Sequence, residues 1–458
     1  MITALKFLEP MDQLTASKMS PRFGPLVRAA NRTVKTLVIT SEDLIETQKI
    51  INSFFISSRP NLQQLTDNRG KAIDLQPKAV RVNRWNSLKF WRNCQEDLPT
   101  VEEIATVLFS AATSLVFIAD DYNLGNLDES FQYLVALLQH PHLAIQLESL
   151  VLGLDGGFLN KDTRASLTYE LMATLNALPA LQLLAVDFDF YYEDPEMPAL
   201  VVLAQLKVLV VKLGLEYNEA FFLCAISEQA ADNVDLQIHL EDGAAYEVSK
   251  YTDNWSKSLY SRVVRLGVVD DRFWCGSEIC PLFPSLTSFS LVVRSCEAFS
   301  THYVPLITAL SQHHRQLLHL GWKLDLVDLT EQNLNPISAP PPRSLPQLTS
   351  VQAVTLDLDM ADHSQVEWLR LPWTLPNCQA IHLRNFACDR CRVELRKILR
   401  GDFYTEHSEP TNSATALQCL RELLSKLFPH FQLQKITLGN EEPYRTAAEL
   451  FAEHHEQQ

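Results

Sequence analysis

Glycine is scarce in this chain, which has 13 among its 458 residues, and no glycine-rich phosphate loop is found in it. The apolar stretch from Ala199 to Val211 is interrupted by Gln205 and Lys207, well short of the roughly 20 residues that a membrane span needs. Near the amino terminus, Glu9 and Pro10 end the apolar stretch early, which predicts that no signal peptide is present. The sequence therefore predicts neither a phosphate-cradling loop nor a membrane partner.

Positive charge is outweighed by negative charge. Lys and Arg number 39, Asp and Glu number 55, and the formal net charge is −16. A nucleic-acid surface needs clustered cations that replace counterions, so we expect no nucleic-acid partner. Cysteine is limited to nine residues, an odd number scattered along the chain, which fits reduced thiols rather than a disulfide framework. We therefore expect a cytoplasmic or nuclear protein.

Catalytic and metal-binding motifs are missing as well. Cys388 and Cys391 have the spacing of zinc ligands, but the sequence offers no second pair to complete a tetrahedral site. Acidic pairs such as Asp187 and Asp189 recur at one position of a repeating unit, where an Asp side chain can bond to the backbone at a strand end. The sequence therefore predicts no enzymatic activity, no metal and no cofactor.

What the chain does have is one recurring phrase of apolar residues. Between Leu178 and Phe190, Leu181, Leu184 and Val186 stand three and then two residues apart, and Asp189 follows. The same spacing occurs at Leu147, Leu150, Leu152 and Asp155, at Val263, Leu266, Val268 and Asp271, and at Val351, Val354, Leu356 and Asp359. Looser copies lie at Leu115/Phe117, Leu209/Val211, Phe289/Leu291, Ile381/Leu383, Leu37/Ile39 and Ile436/Leu438. Each copy indicates an apolar turn followed by a short strand.

Helical patterns lie between these copies, and several copies follow Leu-Pro or Phe-Pro, where proline ends the preceding helix. The alternation predicts an α/β fold: an irregular solenoid with a curved, mostly parallel sheet and helices on its outer face. It resembles leucine-rich repeats with Asp at the place of the usual Asn. The period is uneven, with 34 residues from Leu152 to Val186 and 25 from Val186 to Val211. An ordinary α/β domain is the alternative, because its buried strands also form apolar runs.

The domain organisation predicted from these patterns has three parts. Residues 32–441 form the repeat array, and residues 442–458 form an acidic tail. Insertions are expected near 59–97, which is basic and contains two tryptophans, near 331–345, which is rich in proline, and near 401–414, which is polar. Residues 1–31 differ from the rest and are expected to form a helical segment.

That first segment resembles the later part of an F-box. Leu5 and Leu8 match its first helix, Asp12 and Leu14 match its turn, and Met19, Ser20, Phe23 and Leu26 match its final helix. The resemblance implies the substrate-receptor subunit of a cullin–RING ubiquitin ligase. In that role a Skp-type adaptor would be bound by Leu5, Leu8, Leu14, Met19 and Phe23. A helical cap that closes the first repeat is the alternative.

The repeat array is expected to bind an unidentified protein substrate. Residues between the core positions of each strand should point away from the helices, such as Val151, Ala185 and Val210. Solenoids bind partners on this sheet surface, so the predicted partner contacts are Asp187, Lys212, Asp357, His382 and Arg384. Two other functions stay open, a scaffold that binds no adaptor and a solenoid that inhibits an enzyme. A solvated face, or use of the 59–97 insertion instead, is also open.

Overall fold

The structure is a computed structural model that describes part of the chain. The described residues are 10–19, 22–31, 34–40, 87–90, 100–102, 104, 112–119, 127–154, 161–188, 199–214, 219–240, 248, 250, 254–270, 276–293, 296–324, 345–357, 374–384, 421, 424, 436–438 and 445–446. They fall into two compact units, which divide after His239, with residues 251–262 belonging to the first unit.

The first unit contains strands β1 to β7 and helices α1 to α7. In chain order these are α1 (Pro10–Met19), α2 (Phe23–Ala30), β1 (Thr36–Thr40), β2 (Ser87–Phe90), β3 (Ser114–Ala119), α3 (Leu127–Gln139), α4 (Pro141–Ala144), β4 (Ser149–Leu154), α5 (Lys161–Asn176), β5 (Leu183–Phe188), a 3₁₀ turn (Val201–Gln205), β6 (Val208–Leu213), α6 (Glu219–Gln229), β7 (Asp235–Leu240) and α7 (Asn254–Arg262). The strand order in its sheet is β7-β6-β5-β4-β3-β1-β2.

The second unit contains strands β8 to β14 and the helices α8 and α9. These are β8 (Val263–Asp270), α8 (Gly276–Ile279), a 3₁₀ turn (Cys280–Leu282), β9 (Ser288–Val293), α9 (Cys296–His313), β10 (His319–Leu324), β11 (Ala353–Asp357), β12 (Ala380–Arg384), β13 (Ile436–Leu438) and β14 (Arg445–Thr446). The strand order again follows the sequence, from β8 to β14.

Sequence neighbours pair in parallel in both units. The pairs β3–β4, β4–β5 and β5–β6 are parallel in the first unit, as are the pairs from β8–β9 to β12–β13 in the second. Parallel pairing requires a crossover connection between the strands, and α3, α5 and α9 lie in such connections. This order confirms the prediction of an α/β solenoid, in which each repeat packs against its neighbours.

The recurring apolar residues form the core on the helical side of each strand. Leu150, Leu152, Leu184 and Val186 are at most 2% exposed. In the second unit the contact with a helix is direct, because the rings of Tyr303 in α9 and Trp322 in β10 lie 5.7 Å apart. The three-then-two spacing therefore identifies a turn residue and two strand residues that face the same side.

The other side of the first unit's sheet differs from the prediction. Val38, Val116, Val151, Ala185 and Val210, which alternate with the helix-side residues, are fully buried and form one apolar cluster. The expectation that Val151, Ala185 and Val210 are a solvent-facing surface is therefore wrong. Their apolar side chains belong to a sheet that is buried on both faces, as parallel sheets commonly are. We call this side of each sheet the inner face.

The amino-terminal helices α1 and α2 pack against each other, and α1 also contacts β2. Strand β2 is the last strand on its side of the first unit's sheet and pairs in parallel with β1. The side chains of Gln13 and Asn31 join the helical segment through a buried hydrogen bond of 2.8 Å. A contact between α1 and an edge strand is the position that a cap of the repeat array would have.

Strands also occur within two segments for which the sequence predicted no strand. Within the predicted 59–97 insertion, Ser87–Phe90 forms β2. Within the predicted acidic tail, Arg445–Thr446 pairs antiparallel with β13. The insertions at 331–345 and 401–414 lie outside the described residues, apart from Leu345, which is buried. In the part of the chain that the structure describes, no helix is long and apolar enough to cross a membrane.

Candidate functional site

The most accessible inner-face positions lie near the carboxyl ends of the strands. In the first unit, Asp187 of β5 is in register with Lys212 of β6. In the second unit one register row runs through β8 to β12 at Val269, Val292, Lys323, Asp357 and Arg384. Apart from Arg384, whose side chain is not described, these side chains are half-buried, whereas the inner-face positions before them are mostly buried. We call these residues the strand-end row of their own unit.

Asp187 and Lys212 form an ion pair across neighbouring strands. The Lys212 ammonium donates a hydrogen bond of 2.7 Å to the Asp187 carboxylate. The Lys212 side chain is 10% exposed and the Asp187 side chain is 40% exposed. An opposite-charge pair of this kind stabilises a sheet by roughly 0.2–1 kcal/mol. The structure thus brings two of the predicted partner-contact residues together, and the carboxylate is the part that solvent reaches more easily.

In the second unit, too, a basic and an acidic residue of the strand-end row are register partners. Lys323 of β10 and Asp357 of β11 are register partners, and both are half-buried. Asp357 was expected from the sequence as a partner contact, but Lys323 was not. Lys323 could have been found from the alternation of side chains along β10. Leu320 and Trp322 face the helices, so Gly321 and Lys323 lie on the inner face.

A chain of polar side chains crosses the inner face of the second unit. The Ser288 hydroxyl lies 2.8 Å from Nδ1 of His319, and Nε2 of the same ring lies 2.9 Å from the Thr355 hydroxyl. Ser288 and His319 are fully buried, and Thr355 is 7% exposed. The donor and acceptor roles of the two hydroxyls follow the tautomer of the His319 ring. Sequence patterns missed these residues because their partners lie 31 and 36 residues apart.

His382 requires a correction. It was expected as an accessible partner contact, but it is 5% exposed and lies beside Thr355 in the register of β11 and β12. The inner face of the second unit is buried at this point, as in the first unit. His382 therefore belongs to the polar interior of the inner face and does not form an outer contact surface. Arg384 lies two residues further along β12, in register with Asp357.

The structure describes only some of the residues that were expected to bind an adaptor. Leu5 and Leu8 lie outside the described residues, and Leu14 lies in α1. Met19 ends α1 and is 77% exposed. Phe23 begins α2 and is half-buried. The exposed thioether of Met19 is consistent with its position at the end of a short helix, where few neighbouring groups cover it.

Three buried titratable groups of the second unit are held in their neutral forms. Burial lowers the pKa of His314 to about 4, an effect that the Cys280 backbone partly offsets and that His313 reinforces. Burial raises the pKa of the Cys280 thiol to about 12. Burial also raises the pKa of Tyr303, and a hydrogen bond with Thr374 reduces that shift. A general acid or base works best with a pKa near the working pH, and burial moves the pKa of each of these groups away from neutral pH.

Within the described residues, no group of three or more His, Cys, Asp or Glu side chains is arranged to hold a metal ion. Cys388 and Cys391, the pair with zinc-ligand spacing, lie outside those residues.

Comparisons with known proteins identify no family. No family model matches the chain, and no curated protein matches it significantly. Among solved structures, the leucine-rich repeat-containing protein LegL7 from Legionella pneumophila is similar to this chain, with a TM-score of 0.42 and 18% sequence identity. The similarity covers 75% of this chain and 98% of that one. The fold assignment rests on the strand order and register of the chain itself: it is an α/β solenoid with leucine-rich-repeat-like spacing.

Proposed function

We propose that this chain is a protein-interaction scaffold in which each unit binds a partner along its own strand-end row. The observation that carries the proposal is the row within each unit: Asp187 and Lys212 in the first, and Lys323 and Asp357 in the second, are half-buried, and the inner-face positions before them are mostly buried. Charged groups at the edge of a buried apolar surface provide specificity and orientation for a protein partner. Solenoids commonly use the corresponding sheet surface for binding.

The scaffold proposal is tested by reversing charge along the strand-end row. Asp187→Lys, Lys212→Glu, Asp357→Lys and Arg384→Glu are combined in one variant, and proximity labelling compares its neighbours with those of the wild type. We expect the variant to lose its principal partners because its row now repels them. The matched control combines Glu148→Lys with Lys207→Glu, two exposed charges that precede β4 and β6. Unchanged partner capture by the reversed variant, with an intact circular dichroism spectrum, would overturn the proposal.

A finer proposal is that the scaffold is the substrate receptor of a cullin–RING ubiquitin ligase. It is supported by the F-box-like pattern of Leu5, Leu8, Leu14, Met19 and Phe23, together with the pairing of α1 with α2 and the exposed side chain of Met19. The contact between α1 and β2 favours the other reading of the same segment, a cap of a scaffold without adaptor binding.

A purified Skp-type adaptor separates these two readings. The ligase proposal expects micromolar or tighter binding to the full-length chain. The double variant Leu8→Asp with Leu14→Asp should abolish that binding, since truncation of an interface anchor typically costs about 2 kcal/mol or more. Thr15→Asp, an exposed position on α1, is the control that should bind normally. If the wild-type chain does not bind the adaptor, the ligase proposal fails and the scaffold proposal is unaffected.

A further inference from the structure

His314 lies where three parts of the second unit meet on its helical side. It directly follows α9, and its N–H donates a hydrogen bond of 3.0 Å to the Leu310 carbonyl oxygen. Its own carbonyl oxygen accepts hydrogen bonds from the Leu317 N–H at 3.1 Å and from the Ser350 hydroxyl, in the turn before β11, at 3.5 Å. The backbone of Cys280, in the 3₁₀ turn after α8, lies beside its ring. We call the packing of α8 and this 3₁₀ turn against the end of α9 the His314 contact.

The imidazole ring of His314 is shielded both from water and from hydrogen-bond partners. The residue is 2% exposed, and neither Nδ1 nor Nε2 makes a hydrogen bond to any part of the chain that the structure describes. The Cys280 backbone is near enough to favour the charged ring, but its effect is smaller than that of burial. A buried charge needs a partner or access to water. The closed packing is therefore compatible with a neutral ring and not with an imidazolium.

The charged groups around the His314 contact do not compensate a charge on the ring. The titratable side chains in the described parts of α8, the 3₁₀ turn, α9, residues 314–318 and the turn before β11 are Glu278, Cys280, Tyr303, His313, His314 and Arg315. The helix-side residues of β9 and β10, such as Leu291 and Leu320, are apolar. Glu278, His313 and Arg315 are exposed, so water screens them. His313 also gains positive charge as the pH falls. Acid therefore adds repulsion here.

The segment that packs on His314 consists of short elements joined by long hydrogen bonds. Helix α8 has four residues and the 3₁₀ turn has three. The Phe283 N–H donates to the Cys280 carbonyl oxygen at 3.3 Å, and the Leu286 N–H donates to the Phe283 carbonyl oxygen at 3.4 Å. Both distances exceed the usual range of about 2.7–3.2 Å. Strands β9 and β10, in contrast, are paired over six residues. The free energy of opening differs between such elements, so we expect the segment to open before the sheet does.

We propose that the His314 contact is an acid-sensitive switch: protonation of His314 separates α8 and the 3₁₀ turn from the end of α9, while β9 and β10 remain paired. The contact is closed above about pH 6.5, the ordinary pKa of histidine, and opens as the pH falls. Opening gives solvent access to Cys280, which is fully buried in the closed form and whose thiol is unreactive there. This inference goes beyond the proposed function, because it concerns the helical side of the second unit and not the strand-end row.

The test is the thiol reactivity of Cys280 in the full-length protein at two pH values. The probe is 4,4′-dithiodipyridine, a disulfide that reacts with accessible thiols in mildly acidic as well as neutral solution. Mass spectrometry of proteolytic peptides identifies the modified cysteine. A short cysteine-containing peptide, treated in parallel, corrects for the pH dependence of the reagent. We expect the corrected rate at Cys280 to rise by about tenfold or more from pH 7.5 to pH 5.0, because the proton bound by His314 favours the open form.

Three variants assign the acid response to one ring. His314→Gln removes the titrating group, so the corrected Cys280 reactivity should be equal at both pH values. His314→Leu places an apolar side chain at the same position and should keep Cys280 unreactive at both, which decides the matter if the glutamine variant is open throughout. His313→Gln, at the exposed neighbour, is the matched control and should retain most of the response. Cys378, half-buried in the same unit, should change little in any of these proteins, because the opening is local.

Three results would overturn the inference. Cys280 that stays unreactive at pH 5.0 shows that the contact does not open. An acid response that both His314 variants retain belongs to another group. Equal increases at Cys280 and Cys378, with loss of the far-UV circular dichroism signal, show that acid unfolds the whole unit. If neither His314 variant folds, hydrogen exchange of the wild type at pH 5.0 decides, because the proposal requires loss of protection at residues 276–283 with β9 and β10 still protected. None of these results bears on partner capture through the strand-end row.

Discussion

His314 is the residue whose burial has the most direct consequence for stability. It is 2% exposed and directly follows α9, and burial lowers the pKa of its imidazole to about 4. In the unfolded chain a histidine has a pKa of about 6.5. Between these two values the unfolded state binds more protons than the folded state. The contribution of His314 to the free energy of unfolding is therefore present above about pH 6.5 and is lost as the pH falls towards 4.

The first prediction is the size of this decrease and its dependence on one residue. From pH 7.5 to pH 5.0, His314 should account for a loss of about 2 kcal/mol in the free energy of unfolding. Urea unfolding at the two pH values measures the loss, and the His314→Gln variant should lose less by that amount. His313→Gln, at the exposed neighbouring residue, is the control. The pKa assignment is wrong if both variants have the pH dependence of the wild type.

At the scale of single elements, Arg262 connects two helices of the first unit. It ends α7, and its guanidinium donates hydrogen bonds of 3.1, 2.7 and 2.6 Å to the carbonyl oxygens of Ser227, Ala230 and Ala231. These carbonyls lie at the carboxyl end of α6, where backbone acceptors lack helical partners. The positive charge also favours the negative end of the helix dipole.

The second prediction is that Arg262→Met destabilises the protein by about 2 kcal/mol, because hydrogen bonds from a charged donor are lost and buried acceptors remain unpaired. Arg262→Lys should recover part of this loss, since one ammonium cannot reach three carbonyls in the guanidinium geometry. Chemical unfolding of the two variants measures both effects. Arg315→Met, at an exposed residue of the second unit, should change stability little. A loss for Arg262→Met no larger than that control would show that the interaction is dispensable.

The elements that the sequence predicted best are those in which the apolar spacing itself forms the core. Leu184 and Val186 in β5, and Leu266 and Val268 in β8, were expected as core strand residues and are at most 2% exposed. Strand β10 was missed, although Leu317, Leu320, Trp322 and Asp325 keep the same spacing. This copy differs from the others in having tryptophan at the second strand position, where they have an aliphatic residue or phenylalanine. Its indole fills the same core position, against Tyr303.

The inner face could not be assigned from local pattern. The side chains of Val151 and Ala185 are apolar, as is common in a sheet that is buried on both faces. The sequence of a single strand does not show whether another part of the chain covers that face, and a solvated binding surface was expected instead. The Ser288–His319–Thr355 chain depends on the register of three strands that are far apart in sequence. Register is a property of the assembled sheet, so this chain of hydrogen bonds could be found only in the structure.

At the scale of the whole molecule, the described residues form two units, each with its own buried core. In a repeat protein, the free energy of unfolding is approximately the sum of the intrinsic stabilities of the repeats and the interface energies between neighbouring repeats. Leu150 of the first unit and Leu320 of the second are both fully buried. Replacement of either leucine by alanine should cost about 2–5 kcal/mol of stability, because a cavity remains in the core.

The third prediction is that the cost stays within the unit that carries the substitution. Hydrogen exchange followed by mass spectrometry should find faster exchange in β4 and β5 for Leu150→Ala, with β9 and β10 unchanged. Leu320→Ala should give the reverse pattern, and each variant thus serves as the control for the other. Equal loss of protection in both units for either variant would show that the protein unfolds as a single cooperative body.

The burial of both faces of the first unit's sheet has a consequence for the synthesis of the protein. A strand such as Ser149–Leu154 or Val208–Leu213 has no soluble side as it leaves the ribosome, because the residues on both faces are predominantly apolar. It is covered only when the next repeat has been made and has paired with it. Each nascent strand therefore exposes apolar surface for the few seconds that synthesis of about 30 residues takes, and we expect chaperones to bind it in that interval. A chain truncated in the middle of this unit would present an open, apolar strand edge, which is a template for aggregation.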